Sequence, residues 1–369
     1  MTHSLLVYTG RNRAATPQLR HRDLFVYPFS HIISRTKHDL GFFNFHLVSE
    51  SVEHLSRLHG TVRIPSDSVI GFSEIADKRA CEIERLSKEL NRPSIFVFWS
   101  GGIDSTAALV GLLRNLSKEG LQNLTVVLTV QSILENPAFY VETVSALKTL
   151  NYFEAWPRLL SNPDALVVTG ELGDQIMGAG MLLASYKEYG ADFLASDYRK
   201  NGPQALAEFF KSDTRRVSID ADKMFAFLRP IADEAPIQIR SVFDFFWWFN
   251  FTQEWQFAKL KFLETAETPL AGVQLSQVQH YFDTVDFQLW SISTVEERLP
   301  KSWKDYKRAA KAYIDSYSKQ SSSQGLIKRQ SLKHTYFLQK FRQGVSAAFE
   351  SVDEKVDLEK YMRLSTSED

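Results

Sequence analysis

A chain of 369 residues, 44% hydrophobic and 24% charged, can bury a sizeable core and hold one large domain or two of ordinary size. Its 43 Lys and Arg balance 44 Asp and Glu, so net charge gives no argument for a nucleic-acid partner, although local basic patches stay open. The single cysteine, Cys81, excludes intramolecular disulfides, thiolate-rich zinc sites and cysteine-held iron–sulfur clusters.

No N-terminal targeting segment and no run of 18 apolar residues is present, so the expectation is a cytoplasmic protein without a membrane partner. Residues 5–8, 24–29 and the alternating 43–47 read as short strands, which makes 1–90 a small sheet-containing module of unassigned role. Residues 74–90 repeat apolar side chains at Ala76, Ala80, Ile83 and Leu90, an amphipathic helix with Cys81 near its apolar edge. From residue 94 the rhythm alternates: strand 94–99, helix 106–116, strand 124–130, a mostly helical 140–160, strand 165–170. Strands this apolar, separated by helices, predict an α/β fold with a parallel sheet covered by helices on both faces.

The body of that domain runs over 91–350, and it is largely helical beyond residue 180. The stretch 241–264 holds the densest aromatics of a chain with 27 Phe, 13 Tyr and 7 Trp. Its part 245–257 reads either as a buried helix supporting the sheet or as the wall or cap of an acceptor pocket, with Glu254, Gln256 and Lys259 as polar candidates. Residues 296–319 are charged and read as helix, 319–325 as an exposed loop, and 351–369 as a polar tail.

The strand at 94–99 stops at Ser100-Gly101-Gly102-Ile103-Asp104-Ser105-Thr106. A parallel strand that turns through glycines into a helix makes an anion site, because free amide N–H groups and the helix dipole point into the crevice. Gly101 and Gly102 let backbone approach phosphate closely, and Ser100, Ser105 and Thr106 supply hydroxyls. Asp104 has two readings. It caps the helix, or it holds a cation between itself and bound phosphates, a phosphate–Mg²⁺–carboxylate arrangement. The glycine spacing is neither a Walker A loop nor a dinucleotide fingerprint.

Residues 167–180 repeat the design of strand, glycine turn, acid and helix, through Gly170, Glu171 and Asp174. Parallel-strand ends converge on one crevice, so Asp174 is expected to face Asp104, with Glu171 as reserve ligand. The same acids also suit the first turn of a helix for its dipole alone.

The Ser-Gly-Gly-Ile-Asp-Ser loop at 100–105 resembles the pyrophosphate loop of the N-type ATP pyrophosphatases, whose members include asparagine, GMP and NAD synthetases. The second turn is similar to the asparagine synthetase signature at Gly170, Glu171, Asp174 and Gly178, and departs from it at Leu172, Gly173, Gln175 and Ala179. The resemblance covers roughly 90–315 and is nearest the synthetase domain of asparagine synthetase and β-lactam synthetase. It implies an adenine nucleotide alpha-hydrolase-like fold, ATP and Mg²⁺, and metal ligation by Asp104 and Asp174. It also implies adenine or ribose contacts near Leu128 and Thr129. A lysine that meets the phosphates is implied within 302–314, where Lys307 is the first choice, Lys304 the second and Lys311 a third. Lys307 and Lys311 are four apart and are expected to share a helix face, though a charged helix is also simply a solvated one.

The resemblance implies ATP-dependent adenylation of a carboxylate or amide, then attack by an amine on the adenylate. The acceptor is expected to be a small molecule or peptide-like. The chain begins Met-Thr, so it is not expected to carry the N-terminal cysteine of a glutaminase. With one cysteine, relatives that hold zinc or that thiolate are disfavoured. Modification of a nucleobase through an adenylated intermediate, and non-catalytic ATP binding, are the alternatives. Oligomeric state is not legible.

Overall fold

The structure, a computed structural model, describes residues 70–152, 155, 159, 162–178, 180–212, 221–233, 235, 237–251 and 277–318. The strands expected at 5–8, 24–29 and 43–47, the candidates Glu254, Gln256 and Lys259, and the loop and tail beyond 318 lie outside them. The described residues fall into two compact units. A sheet unit draws on Gly71–Glu171, Thr265–Asp283 and Ala309–Asp369; a helical unit draws on Leu172–Glu264 and Thr284–Arg308.

Five strands form the sheet: β1 (Ser94–Phe98), β2 (Leu124–Leu128), β3 (Thr149–Asn151), β4 (Ala165–Thr169) and β5 (Val278–His280). Their order is β3-β2-β1-β4-β5 and every pairing is parallel. In β4 all five residues are buried. Successive side chains of a strand point to opposite faces, so both faces of the sheet are covered there. The expected α/β class and the three long apolar strands hold. β3 corrects the helical reading of 140–160, and β5 was not foreseen. Each is three residues long, too short to display a period, and each is defined by its neighbour: Val126 beside Thr149 and Val167 beside Val278.

Helix Phe72–Glu89 packs on helix Ile103–Asn115 within the sheet unit. It buries Phe72, Ile75, Ala76, Ala80 and Ile83, while Cys81 is exposed. The cysteine is one step, about 100°, round the helix from Ala80, enough to leave the apolar face. Arg79 is buried on that face and donates to the Tyr281 carbonyl at 3.2 Å and to Gln279 Oε1 at 3.0 Å. The Tyr281 hydroxyl donates to the Ala76 carbonyl at 2.5 Å. Its ring lies where Gly111 has no side chain: a Cβ on Gly111 would sit 1.9 Å from the hydroxyl oxygen. Helix Arg308–Asp315 is tied in by Tyr313, whose hydroxyl donates to Asp77 at 2.5 Å.

The helical unit includes helices Gly173–Met177, Leu183–Ala195, Tyr198–Ser212, Ala221–Asp233, 242–251, Val285–Ser293 and Val295–Arg298. Every residue of 241–251 is buried, so the described part of the aromatic stretch is core. Phe245 stacks on Tyr198 at 5.1 Å, and Trp247, Trp248 and Trp290 are almost wholly buried. The helix expected over 296–319 is broken into Val295–Arg298, a turn at Trp303–Asp305, and Arg308–Asp315. Pro300 falls in the break. Lys307 precedes the last helix with φ at 58°, so it does not share a helix face with Lys311. Among the described residues no helix is long and apolar enough to cross a membrane.

Gly111→Ala must push Tyr281 off the Ala76 carbonyl, and a loss of about 1–3 kcal/mol in a urea melt is expected. Burial drives the Tyr281 hydroxyl well above the usual tyrosine range, with Tyr313 adding to the rise and Arg79 opposing it. A raised pKa contributes stability that is complete below the unfolded value, about 10, and is lost as pH climbs through the folded one. Thermal melts between about pH 8 and 11 should therefore show a fall at the alkaline end that is shallower in Tyr281→Phe.

Candidate functional site

The strand order reverses at β1: β2 and β3 lie on one side of it, β4 and β5 on the other. In an open parallel sheet such a switch point, at the carboxyl ends of the two central strands, is where ligands bind. The chain leaves β1 through Trp99-Ser100-Gly101-Gly102 and leaves β4 through Gly170.

Both exits are built by close backbone approach. Gly101 has φ of +80°, and a Cβ there would lie 2.3 Å from the Ser132 carbonyl oxygen. A Cβ on Gly170 would lie 2.6 Å from the backbone nitrogen of Ser105. The loop is knitted by its own hydroxyls. The Ser100 amide donates to Ser105 Oγ at 3.0 Å, Ser105 Oγ donates to the Gly102 carbonyl at 3.1 Å, and the Gly102 amide donates to Ser100 Oγ at 3.3 Å. Thr106 is fully buried and accepts from the Trp99 indole at 2.9 Å, so it braces the loop from inside. Helix Ile103–Asn115 begins from Gly102 with no side-chain cap, and Asp104 sits in its first turn. Asp104 is therefore not the N-cap residue, which is Gly102. Its carboxylate is half-buried at the mouth of a helix whose first amides have no intrahelical acceptor.

Leu128 ends β2 in the core, and Thr129 caps helix Val130–Glu135 in a reciprocal box with Ser132. At the β4 exit, Thr169 Oγ1 accepts from the Glu171 amide at 3.3 Å and lies 2.7 Å from Nδ1 of buried His280. Glu171 itself is exposed.

In the helical unit, helix Gly173–Met177 starts from Leu172, a non-glycine residue with φ of 75°, again with no side-chain cap. Asp174 is in the first turn. Lys307, only 8% exposed, places Nζ 2.6 Å from Asp174 Oδ1, and the Tyr306 hydroxyl donates to the same oxygen at 3.2 Å. Tyr306 stacks on Trp303 at 4.7 Å and abuts Gly178, where a Cβ would come within 2.4 Å of the ring. Lys304 is exposed on the turn at Trp303–Asp305. Lys311 lies in helix Arg308–Asp315 of the sheet unit.

Gln175, where the signature has an acid, is buried and donates to Asn250 Oδ1 at 3.0 Å. Asn250 in turn donates to the Asp174 carbonyl at 3.0 Å and to the Gly178 carbonyl at 3.2 Å. One amide thus clamps both ends of the short helix that bears Asp174. Asn250 was missed from the sequence. The available signal was its isolation as a single amide inside Phe-Phe-Trp-Trp-Phe-Asn-Phe, since a polar group buried among aromatics must be bonded to something.

Among the described residues no group of three or more His, Cys, Asp or Glu side chains could hold a metal ion. A magnesium ion at this edge would draw most of its ligands from phosphate and water, with one or two carboxylates, which is its ordinary habit beside nucleotides. The glycine cradle and a first-turn acid suit that arrangement. No protein-family model matches the chain, and no curated protein matches its sequence.

Gln175→Glu removes the donor to Asn250 and sets a carboxylate against its carbonyl oxygen. A loss of about 1–3 kcal/mol in denaturant unfolding is expected. An unchanged midpoint would show that the clamp does not hold the Asp174 helix.

Proposed function

We propose that this chain is an ATP-dependent ligase of the N-type ATP pyrophosphatase kind, with an adenine nucleotide alpha-hydrolase-like sheet, nearest in pattern to the synthetase domain of asparagine synthetase. It adenylates a carboxylate or amide oxygen of a small or peptide-like acceptor. That oxygen bonds to the α-phosphorus of ATP and pyrophosphate leaves. An amine then attacks the activated carbon and AMP leaves, giving an amide from a carboxylate or an amidine from an amide.

The observation that carries the reading is the 2.6 Å ion pair between Asp174 and Lys307. Each was singled out for a separate reason, one from an acidic glycine turn and the other as the phosphate lysine. A buried lysine held on a first-turn acid, between two non-glycine residues in left-handed backbone, Leu172 and Lys307, is costly to build. Such strain clusters at working sites.

In this reading the backbone of Ser100–Ser105 receives the terminal phosphates, with Gly101 and Gly102 leaving room for them. Asp104 in the sheet unit and Asp174 in the helical unit are each a carboxylate that would be able to hold magnesium, with Glu171 in reserve. The ion supplies charge neutralisation on the leaving pyrophosphate. Lys307 adds a fixed positive charge where that negative charge grows. Leu128 and Thr129, at the exit of β2, border the nucleoside.

Incubation with MgATP and a screen of carboxylic acids, amino acids and amines should release pyrophosphate and AMP in equal amounts. Asp104→Ala should abolish this, and Lys307→Ala should slow it by about 10²–10³-fold, with circular dichroism confirming that both variants are folded. ADP and phosphate as products, or full activity in Lys307→Ala, would overturn the reading.

A further inference from the structure

The two glycines of the first turn make room for a side chain as well as for backbone. A Cβ on Gly101 would lie 2.8 Å from the Cβ of Glu135, beside its clash with the Ser132 carbonyl. Apart from its chain neighbours, a Cβ on Gly102 would meet two atoms within 4 Å, Glu135 Oε1 and Ser100 Oγ, each at 3.3 Å. The glutamate therefore runs past Gly101 and brings its carboxylate to the notch that Gly102 leaves. Gly102 is half-buried, so the notch is reached from solvent, and its walls are two oxygens.

Glu135 is 6% exposed and ends helix Val130–Glu135. Its backbone is fixed at a junction. The Asn136 amide donates to the Ser132 carbonyl at 3.3 Å, and Asn136 Oδ1 caps helix Pro137–Glu142 by accepting from the Phe139 amide at 3.2 Å. All of these residues belong to the sheet unit. Burying a carboxylate is costly, and a neutral side chain would fill the same place beside the loop. Here the acid stands next to the amides and hydroxyls that receive an anion, and Asp104 adds a second acid in the first turn of helix Ile103–Asn115. A bare phosphate over Gly102 would meet like charge, and like charges brought together in this way are strongly disfavoured.

We propose that Glu135 determines the specificity of the loop at 100–105: it turns away a metal-free polyphosphate and admits one that carries a divalent cation. Discrimination of this kind comes from a repulsive element set against the wrong partner. The loop amides alone would take either form, since they answer to negative charge. A polyphosphate with its cation attached presents a positive centre to the glutamate, and repulsion becomes attraction. The inference rests on reading this loop as a phosphate cradle, and it is independent of what is adenylated. It is measured with inorganic tripolyphosphate, which has neither base nor sugar.

Tripolyphosphate should be titrated into the full chain by calorimetry at one ionic strength, with excess MgCl2 and then with EDTA. The parent should bind the magnesium form about tenfold more tightly or better. Glu135→Gln keeps the shape and removes the charge. It should bind the metal-free form more tightly than the parent does and cut the ratio by about tenfold. Glu135→Asp draws the charge back by one carbon and should fall between the two. Gly102→Ala fills the notch without changing charge and should weaken both forms alike, with thermal melts showing that each variant is folded. The proposal falls if the parent binds neither form or does not distinguish them, or if Glu135→Gln and Glu135→Asp both keep the parent's ratio. It also falls if Gly102→Ala lowers that ratio as far as Glu135→Gln does. Magnesium-selective binding without pyrophosphate release in the acceptor screen would leave this selectivity standing and remove the ligase reading. Pyrophosphate release by a chain whose ratio is unmoved in Glu135→Gln would do the reverse.

Discussion

Two parallel strands, β1 and β4, end side by side with no room for a side chain between their exits. A Cβ on Gly170 would lie 2.6 Å from the Ser105 nitrogen, and one on Gly101 would lie 2.3 Å from the Ser132 carbonyl. The switch point of the sheet is thus lined by backbone, and the first turn of helix Ile103–Asn115 opens onto it uncapped. A site made of amide N–H groups needs no net positive charge to receive an anion. That explains how a chain with 43 basic and 44 acidic residues can still be a candidate for binding a highly charged phosphate.

The helical unit solves a different problem, that of holding a five-residue helix still. Helix Gly173–Met177 is too short to be stable by its own hydrogen bonds. Asn250 bonds its carbonyls and is itself held by Gln175, Tyr306 and Lys307 bond its acid, and Gly178 yields space to the Tyr306 ring. Strain at Leu172 and Lys307, each of about 1–3 kcal/mol, is tolerated because these contacts over-determine the backbone around them.

The long apolar strands and the two acidic glycine turns were legible in the sequence, because continuous burial and glycine punctuation are local signals. Lys307, the first choice among three lysines, lies against Asp174 of the second turn, but not in the setting expected for it. It was placed on a helix face with Lys311, whereas Pro300 and the turn at Trp303–Asp305 break that helix before Lys307. β3 and β5 escaped because three residues carry no period. Cys81 was set at the apolar edge and is exposed, a difference of one helical step. Asn250 and His280 escaped for a deeper reason. Their roles depend on partners far away in sequence, and an aromatic run or a charged segment gives no hint of which buried polar atom will find one.

Lys304 and Lys307 stand three residues apart, and physics separates them where composition does not. Lys304 is exposed on a turn. To serve a phosphate it would have to shed water at the moment of reaction. Lys307 is buried to 8% exposure, fixed by a left-handed backbone and held at 2.6 Å from Asp174. Its desolvation and ordering are completed when the chain folds. A cation prepared in this way stabilises developing negative charge without reorganising, the condition under which electrostatic catalysis is strong. The Tyr306 ring, 5.5 Å from Nζ and stacked on Trp303, keeps that ammonium against an aromatic face and away from bulk water. Lys307 is the lysine that this unit holds in place, and the left-handed backbone is part of how its position is held.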